Sequence, residues 1–118
     1  MRLCSTVLLL LLSPSIFAQA CVIESVDQQV KVKICQYNRS IPEHLFKSGF
    51  CQPQLQGQTT SVSFVEQCPS GAFGVCRNAQ AGGLGYVEDI YYYGVKSDAR
   101  YLKPACEQQS KGQWITDP

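Results

Sequence analysis

The chain has 118 residues, with 10 Lys+Arg against 9 Asp+Glu, 45% hydrophobic and 16% charged residues. So little charge, so evenly balanced over one small domain's length, excludes a long disordered tail, a multidomain enzyme and a polybasic nucleic-acid binder. Seven cysteines in that length are instead the signature of a disulfide scaffold in an exported chain.

Residues 1–20 read as a secretory signal peptide: Met1-Arg2, the apolar run Val7 to Leu12, Ser13-Pro14, then Ala18-Gln19-Ala20. Cleavage after Ala20 leaves one cysteine-rich domain, 21–118, expected in the periplasm or secreted. The apolar run falls short of the about 20 residues a membrane-spanning helix needs, and nothing later is longer, so no transmembrane segment is expected. Loss of Arg2 brings the mature charge close to zero, which gives no reason to seek nucleic acid or an anionic membrane. Cys21, directly after the cleavage point, also admits a lipoprotein anchored there. Ala18 stands where lipoprotein signals usually have Leu, and parity agrees with the free form. Cys4 leaves with the signal, and Cys21, Cys35, Cys51, Cys68, Cys76 and Cys106 remain as an even set fit for three bridges. Six cysteines allow 15 pairings, among which the sequence does not choose. None of them stand at zinc-knuckle spacing and His44 is the only histidine, so neither metal nor cofactor is expected.

Val30-Lys31-Val32-Lys33-Ile34 alternates apolar and basic, the period of a half-buried strand, with Val22 to Val26 as its partner across a turn near Asp27-Gln28-Gln29. Ser40-Ile41-Pro42-Glu43 has the form of a capping box, predicting a helix from Ile41 to about Ser48 that stops near Gly49. Residues 51–60, rich in Gln, Pro and Gly, read as loop, and Val62 with Phe64 as a strand ending at Cys68. Cys68-Pro69-Ser70-Gly71 turns the chain. Phe73 to Arg77 and Tyr86 to Tyr93 are two strands joined by Asn78 to Gly85. Ser97-Asp98 starts a second helix carrying Tyr101, Leu102 and Cys106 inward, kinked or restarted at Pro104 and ending near Gly112.

The fold class is therefore α+β: a small disulfide-stapled domain of antiparallel strands with two short helices. A pseudo-repeat is also indicated. Aligning Leu45 to Gln58 with Arg100 to Gln113 superposes Cys51 on Cys106, Gly57 on Gly112 and Gln58 on Gln113, and each half holds three of the mature cysteines.

The string Cys68-Pro69, Gly74-Val75-Cys76, Tyr91-Tyr92-Tyr93-Gly94, Cys106-Glu107 and Gly112-Gln113-Trp114 resembles a pattern in small exported cysteine-rich bacterial proteins of unknown function, many of them lipoproteins. Such proteins usually carry two glycines before the final aromatic, where this chain has Lys111-Gly112. The resemblance implies a fold and a bacterial host, and no site residues. In such a host the sequon Asn38-Arg39-Ser40 stays unmodified.

No catalytic residues are assigned. His44 would have to anchor any nucleophile-base pair, no Gly-x-Ser-x-Gly elbow marks a serine, and the mature cysteines have disulfide roles. Glu88 and Asp89 are adjacent in a strand, so their carboxyls point to opposite faces and make poor acid-base partners. Gly82-Gly83-Leu84-Gly85 lacks the spacing of a phosphate loop. The stretch Tyr86 to Tyr93 is the feature that folding explains least. Tyr92 shares a face with Ile90, while Tyr91 and Tyr93 share the other with Asp89, which makes Tyr91 and Tyr93 the candidate binding residues. The functional expectation is a non-catalytic interaction module for a protein, peptide or glycan partner. The alternative is a small secreted enzyme or toxin-like effector using His44.

Overall fold

The computed structural model describes residues 19–26, 31–51, 59–81 and 83–118. The alternation around Val32 builds the expected hairpin: β1 (Ala20–Val26) runs antiparallel to β2 (Lys31–Asn38), with Val22 opposite Cys35. Its turn, 27–30, lies outside the described residues, as do 52–58 of the expected loop. β2 does not stop at Ile34 but continues to Asn38, because Cys35 to Asn38 find a second partner in β5. β3 (Thr59–Val65) adds to the other side of β1. β4 (Gly74–Ala81) pairs with β5 (Tyr86–Tyr92), and β6 (Gln113–Thr116) closes the far side of β4. The result is one six-stranded antiparallel sheet in the order β3-β1-β2-β5-β4-β6. β6 has no counterpart in the sequence reading, since its four residues are too few to show a period.

That order is the repeat made visible. Each half supplies two paired strands, a helical segment and a third strand that returns outside the first. The halves meet at β2 and β5, related by an approximate two-fold axis normal to the sheet. The bridges Cys21–Cys51 and Cys76–Cys106 obey the same relation: each closes 30 residues, as the alignment of Cys51 with Cys106 implies. The third bridge, Cys35–Cys68, ties β2 to the connector between the halves.

Residues directly opposite in an antiparallel pair share a face, so Cys21, Gln36, Ile90 and Cys76 lie in one row across the sheet. Both helical segments pack over this row, here called the helix face. In the first half Cys21, Cys51, Ile41 and Phe46 form a core with Ile23, Val62 and Tyr86 against it. In the second half Cys76, Cys106, Phe73, Ala79 and Trp114 do the same with Ile90, Tyr92 and Leu102. Of the five largest fully buried side chains, Phe46 is joined by Cys21, Cys35, Cys51 and Cys76. The core is thus built on its disulfides, and by loop entropy each is worth about 3–4 kcal/mol. The sequence string singled out above is largely the packing of the second half. Tyr92 stacks 5.7 Å from Trp114, and a Cβ on Gly74 would overlap that indole. A Cβ on Gly112 would lie 2.7 Å from Cys76 Sγ. Lys111, beside it, takes the left-handed φ of 56° that a glycine would accept more readily.

The helices differ from expectation at their ends. α1 covers Glu43–Leu45 and continues as a π-helical turn, Phe46–Phe50, closed where the Cys51 N–H donates to Phe46 O at 3.1 Å. Pro42, not Ser40, holds the N-cap position, with no side-chain cap bond. Ser40 Oγ instead accepts the Val87 N–H at 2.8 Å, fastening the helix approach to β5. Asn38 shapes the turn between: its Oδ1 accepts the Ile41 N–H and its Nδ2 donates to Ile41 O, both at 2.7 Å. The second helix opens with a 3₁₀ turn, Lys96–Asp98, runs as α2 (Ala99–Pro104) and ends in a π turn, Ala105–Gln109. Cys106 and Leu102 face the sheet, but Tyr101 is 69% exposed rather than inward. The Ser97-Asp98 start places Leu102 and Cys106, four apart, over the sheet, and Tyr101 falls outside that stripe.

Candidate functional site

The face opposite the helices carries Val22, Cys35, Tyr37, Asp89, Tyr91 and Arg77, fixed by the pairings Cys35 with Tyr91 and Tyr37 with Asp89. Part of it is closed by the connector after β3. Ala20, Val22 and Cys35 are buried under Val65, Cys68, Tyr37, Tyr91 and Tyr93. Tyr93 Oη donates to Pro69 O at 2.6 Å, and Lys33 Nζ lies 4.9 Å from the ring centre. Burial and the neighbouring Tyr91 push the Tyr93 phenol up to about 12. Tyr93 is therefore engaged in holding the connector down.

Beyond the connector the face opens into a polar cavity of about 300 Å³, lined by Tyr37, Arg39, Gln67, Arg77, Asp89 and Tyr91. Its floor is Asp89, only 3% exposed. The Asp89 carboxylate has two fixed partners: Oδ1 accepts the Asn78 N–H at 2.9 Å and Oδ2 meets Arg39 Nε at 2.9 Å. The first bond exists because β4 bulges between Cys76 and Ala79, where Asn78 adopts a left-handed φ of 54°. This extra residue turns an N–H toward β5 and sets Arg77 at the cavity rim. Arg77 forms no ion pair among the described residues, and the Tyr91 hydroxyl makes no hydrogen bond there. Arg39 lies 5.9 Å from the Tyr37 ring centre, and in the full chain the Tyr37 hydroxyl donates to Gln19 Oε1 at 2.7 Å, a residue of the segment read as the signal peptide. Two guanidiniums facing one carboxylate leave the cavity with a positive excess, flanked by two phenol rings.

Tyr91 and Tyr93, the residues singled out from sequence, thus share a face but not a cavity. Tyr91 borders the polar cavity. Tyr93 borders an apolar groove of about 520 Å³ between β2 and the second helix, where Val32, Ile34, Tyr92, Val95 and Leu102 meet Lys33. Tyr91, Tyr92 and Tyr93 are all half-buried. Arg39, Arg77 and Asp89 were invisible as a site in the sequence because a bulge and a strand pairing 11 residues away bring them together. Asn78, read from the sequence as the start of the connection to β5, lies inside β4 (Gly74–Ala81), where its residue type tolerates the left-handed φ of the bulge.

Glu88 turns to the helix face opposite Asn38 and Ala79. It is 5% exposed, and its Oε2 has no hydrogen-bond partner among the described residues. Burial, with Asp89 next to it, pushes its carboxyl up to about 7. Burial and Glu88 together raise the phenol of Tyr92. Glu88 and Asp89 are both buried, on opposite faces.

His44 is exposed on α1, and its side chain meets no acid or hydroxyl among the described residues, while Glu43 beside it pairs with Lys47 at 3.0 Å. No group of three His, Cys, Asp or Glu side chains able to hold a metal occurs among the described residues. No described helix is long and apolar enough to cross a membrane. Cys21 Sγ is bonded to Cys51, which occupies the sulfur that a lipid anchor would use.

These features define a class: a small α+β domain, stabilised by three disulfides, with helices on one sheet face and a cationic, tyrosine-lined cavity on the other. No family model, curated protein or solved structure matches the chain.

Proposed function

We propose that the chain is an exported bacterial protein, periplasmic or secreted, that acts as a non-catalytic interaction module and holds an acidic segment of a protein partner on the Tyr91 side of its sheet. Three disulfides in a small domain support export, because such bridges persist in oxidising compartments. The motif string shared with small cysteine-rich exported proteins supports the bacterial setting. One observation carries the binding assignment: among the described residues Arg77 stands without an ion pair, at the rim of a cavity whose Asp89 carboxylate is already paired with Arg39. Arginine and tyrosine around a partly desolvated depression are the composition of protein-binding hot spots. Tyr91 supplies ring area and a hydroxyl without a hydrogen bond among the described residues, and Tyr93 holds the connector wall in place.

The test is a calorimetric titration of the mature, oxidised protein with a Glu-rich peptide and with a Lys-rich control. The acidic peptide binds, with an affinity that falls as salt rises. Arg77→Ala and Tyr91→Ala each weaken it about tenfold or more. Equal binding of both peptides, or wild-type affinity in both variants, contradicts the assignment.

A further inference from the structure

The two-fold relation makes β3 and β6 counterparts, one at each edge of the sheet, yet the edges are finished differently. β6 has four residues. It is followed by Asp117 in a left-handed conformation at φ 50° whose carboxylate holds Lys96 at 3.1 Å, and then by Pro118, which has no N–H. A short strand, a charge and a proline are the devices that keep a sheet edge from pairing with another chain. β3 has none of them. It runs seven residues, Thr59–Val65, reads TTSVSFV without charge or proline, and pairs along its whole length with β1. No other described strand lies beyond it. Ser61 and Ser63 are exposed, and Phe64 is 44% exposed.

We propose that β3 is a docking edge for a second copy of this chain, the two β3 strands pairing antiparallel about a two-fold axis at Val62 so that the six strands of each copy join in one continuous sheet. The occupant follows from the strand's self-complementarity. In that register Val62 faces its own copy, Thr60 faces Phe64, and Ser61 faces Ser63. Aromatic and β-branched residues meet on the helix face and hydroxyls on the other. These are favourable cross-strand pairs, and no charge stands opposite another. An acidic or basic partner strand would find no complement on this edge. The arrangement leaves Arg77 and Tyr91 free, since β5 and β4 are the third and fourth strands from β3 across the sheet.

Sedimentation velocity of the mature, oxidised chain over a dilution series tests this. The expected result is a dimer that dissociates on dilution. The double variant S61K/S63K, at two exposed positions, sets Lys opposite Lys and raises the dimer dissociation constant about tenfold or more. The variant S61E/S63K sets Glu opposite Lys in the same register and restores association. Matching melting curves show that both variants fold. A single-chain mass for the wild type at every concentration overturns the proposal, and so does a dimer unchanged by S61K/S63K or a charge-swapped variant that stays monomeric.

Discussion

The two faces of the sheet divide the work of this molecule. On the helix face, side chains meet at van der Waals contact around two disulfides, with Phe46 centring one half and Trp114 the other. On the opposite face only the stretch under the connector is sealed. The remainder exposes two guanidiniums, two phenols and a paired carboxylate around open space. One face is filled by two disulfide-centred cores, and the other holds a polar cavity. Residues with their partners already supplied stabilise the fold, and those left with unused donors are available to a ligand. Arg77 and Tyr91 belong to the second kind.

The largest expected effects lie on the helix face. Phe46→Ala and Trp114→Ala should each destabilise by about 3–5 kcal/mol in urea denaturation, as large core truncations do. A loss below about 1 kcal/mol at either would show that its half lacks a specific core. Replacing Cys76 and Cys106 together by Ala should cost about 2–5 kcal/mol, and replacing Cys21 and Cys51 should cost a similar amount, because the loops they close are equally long. Unequal losses would show that the repeat in topology is not a repeat in energetics.

Glu88 gives the face a pH dependence whose sign follows from its raised carboxyl. The folded state holds the proton up to about pH 7, whereas the unfolded chain releases it near its ordinary value of 4.5. Stability is therefore fully present below 4.5 and declines as pH rises through 7. The loss amounts to about 3 kcal/mol. Glu88→Gln, which cannot ionise, should flatten that decline, and a wild-type slope in the variant would assign the dependence to another group. Smaller still is the effect of Asp89→Ala, about 1–3 kcal/mol, from the loss of the acceptor for the Asn78 N–H and of Arg39's partner. The smallest is Arg77→Ala, within about 0.5 kcal/mol, the value for an exposed side chain without a structural partner.

The legibility of the sequence follows the same division. The strands around Val32, Val62 and Tyr86 to Tyr93 could be read because each alternates or is rich in β-formers, and the alignment of Cys51 with Cys106 showed the repeat. Cysteine pairing could not be read, since only the sheet order brings Cys35 to the connector. Ser40 was misassigned because a capping box and a tether to a distant strand use the same hydroxyl. Tyr101 was misplaced because Leu102 and Cys106, four apart, form the stripe over the sheet and Tyr101 falls outside it. At the cavity, Tyr91 was visible as a strand tyrosine with a polar neighbour on its face. Arg39, Arg77 and Asp89 were not, because one bulge at Asn78 decides their meeting and a bulge leaves almost no trace in composition.

The claim that the faces divide binding from folding is tested most directly by mapping amide chemical shifts of the oxidised protein during titration with a Glu-rich peptide. Shifts clustered at Tyr37, Arg39, Arg77, Asp89 and Tyr91, with Ile34, Tyr92 and Leu102 silent, are the predicted result. Shifts confined to the helix-face groove around Ile34, Tyr92 and Leu102, or no saturable shifts at all, would contradict it.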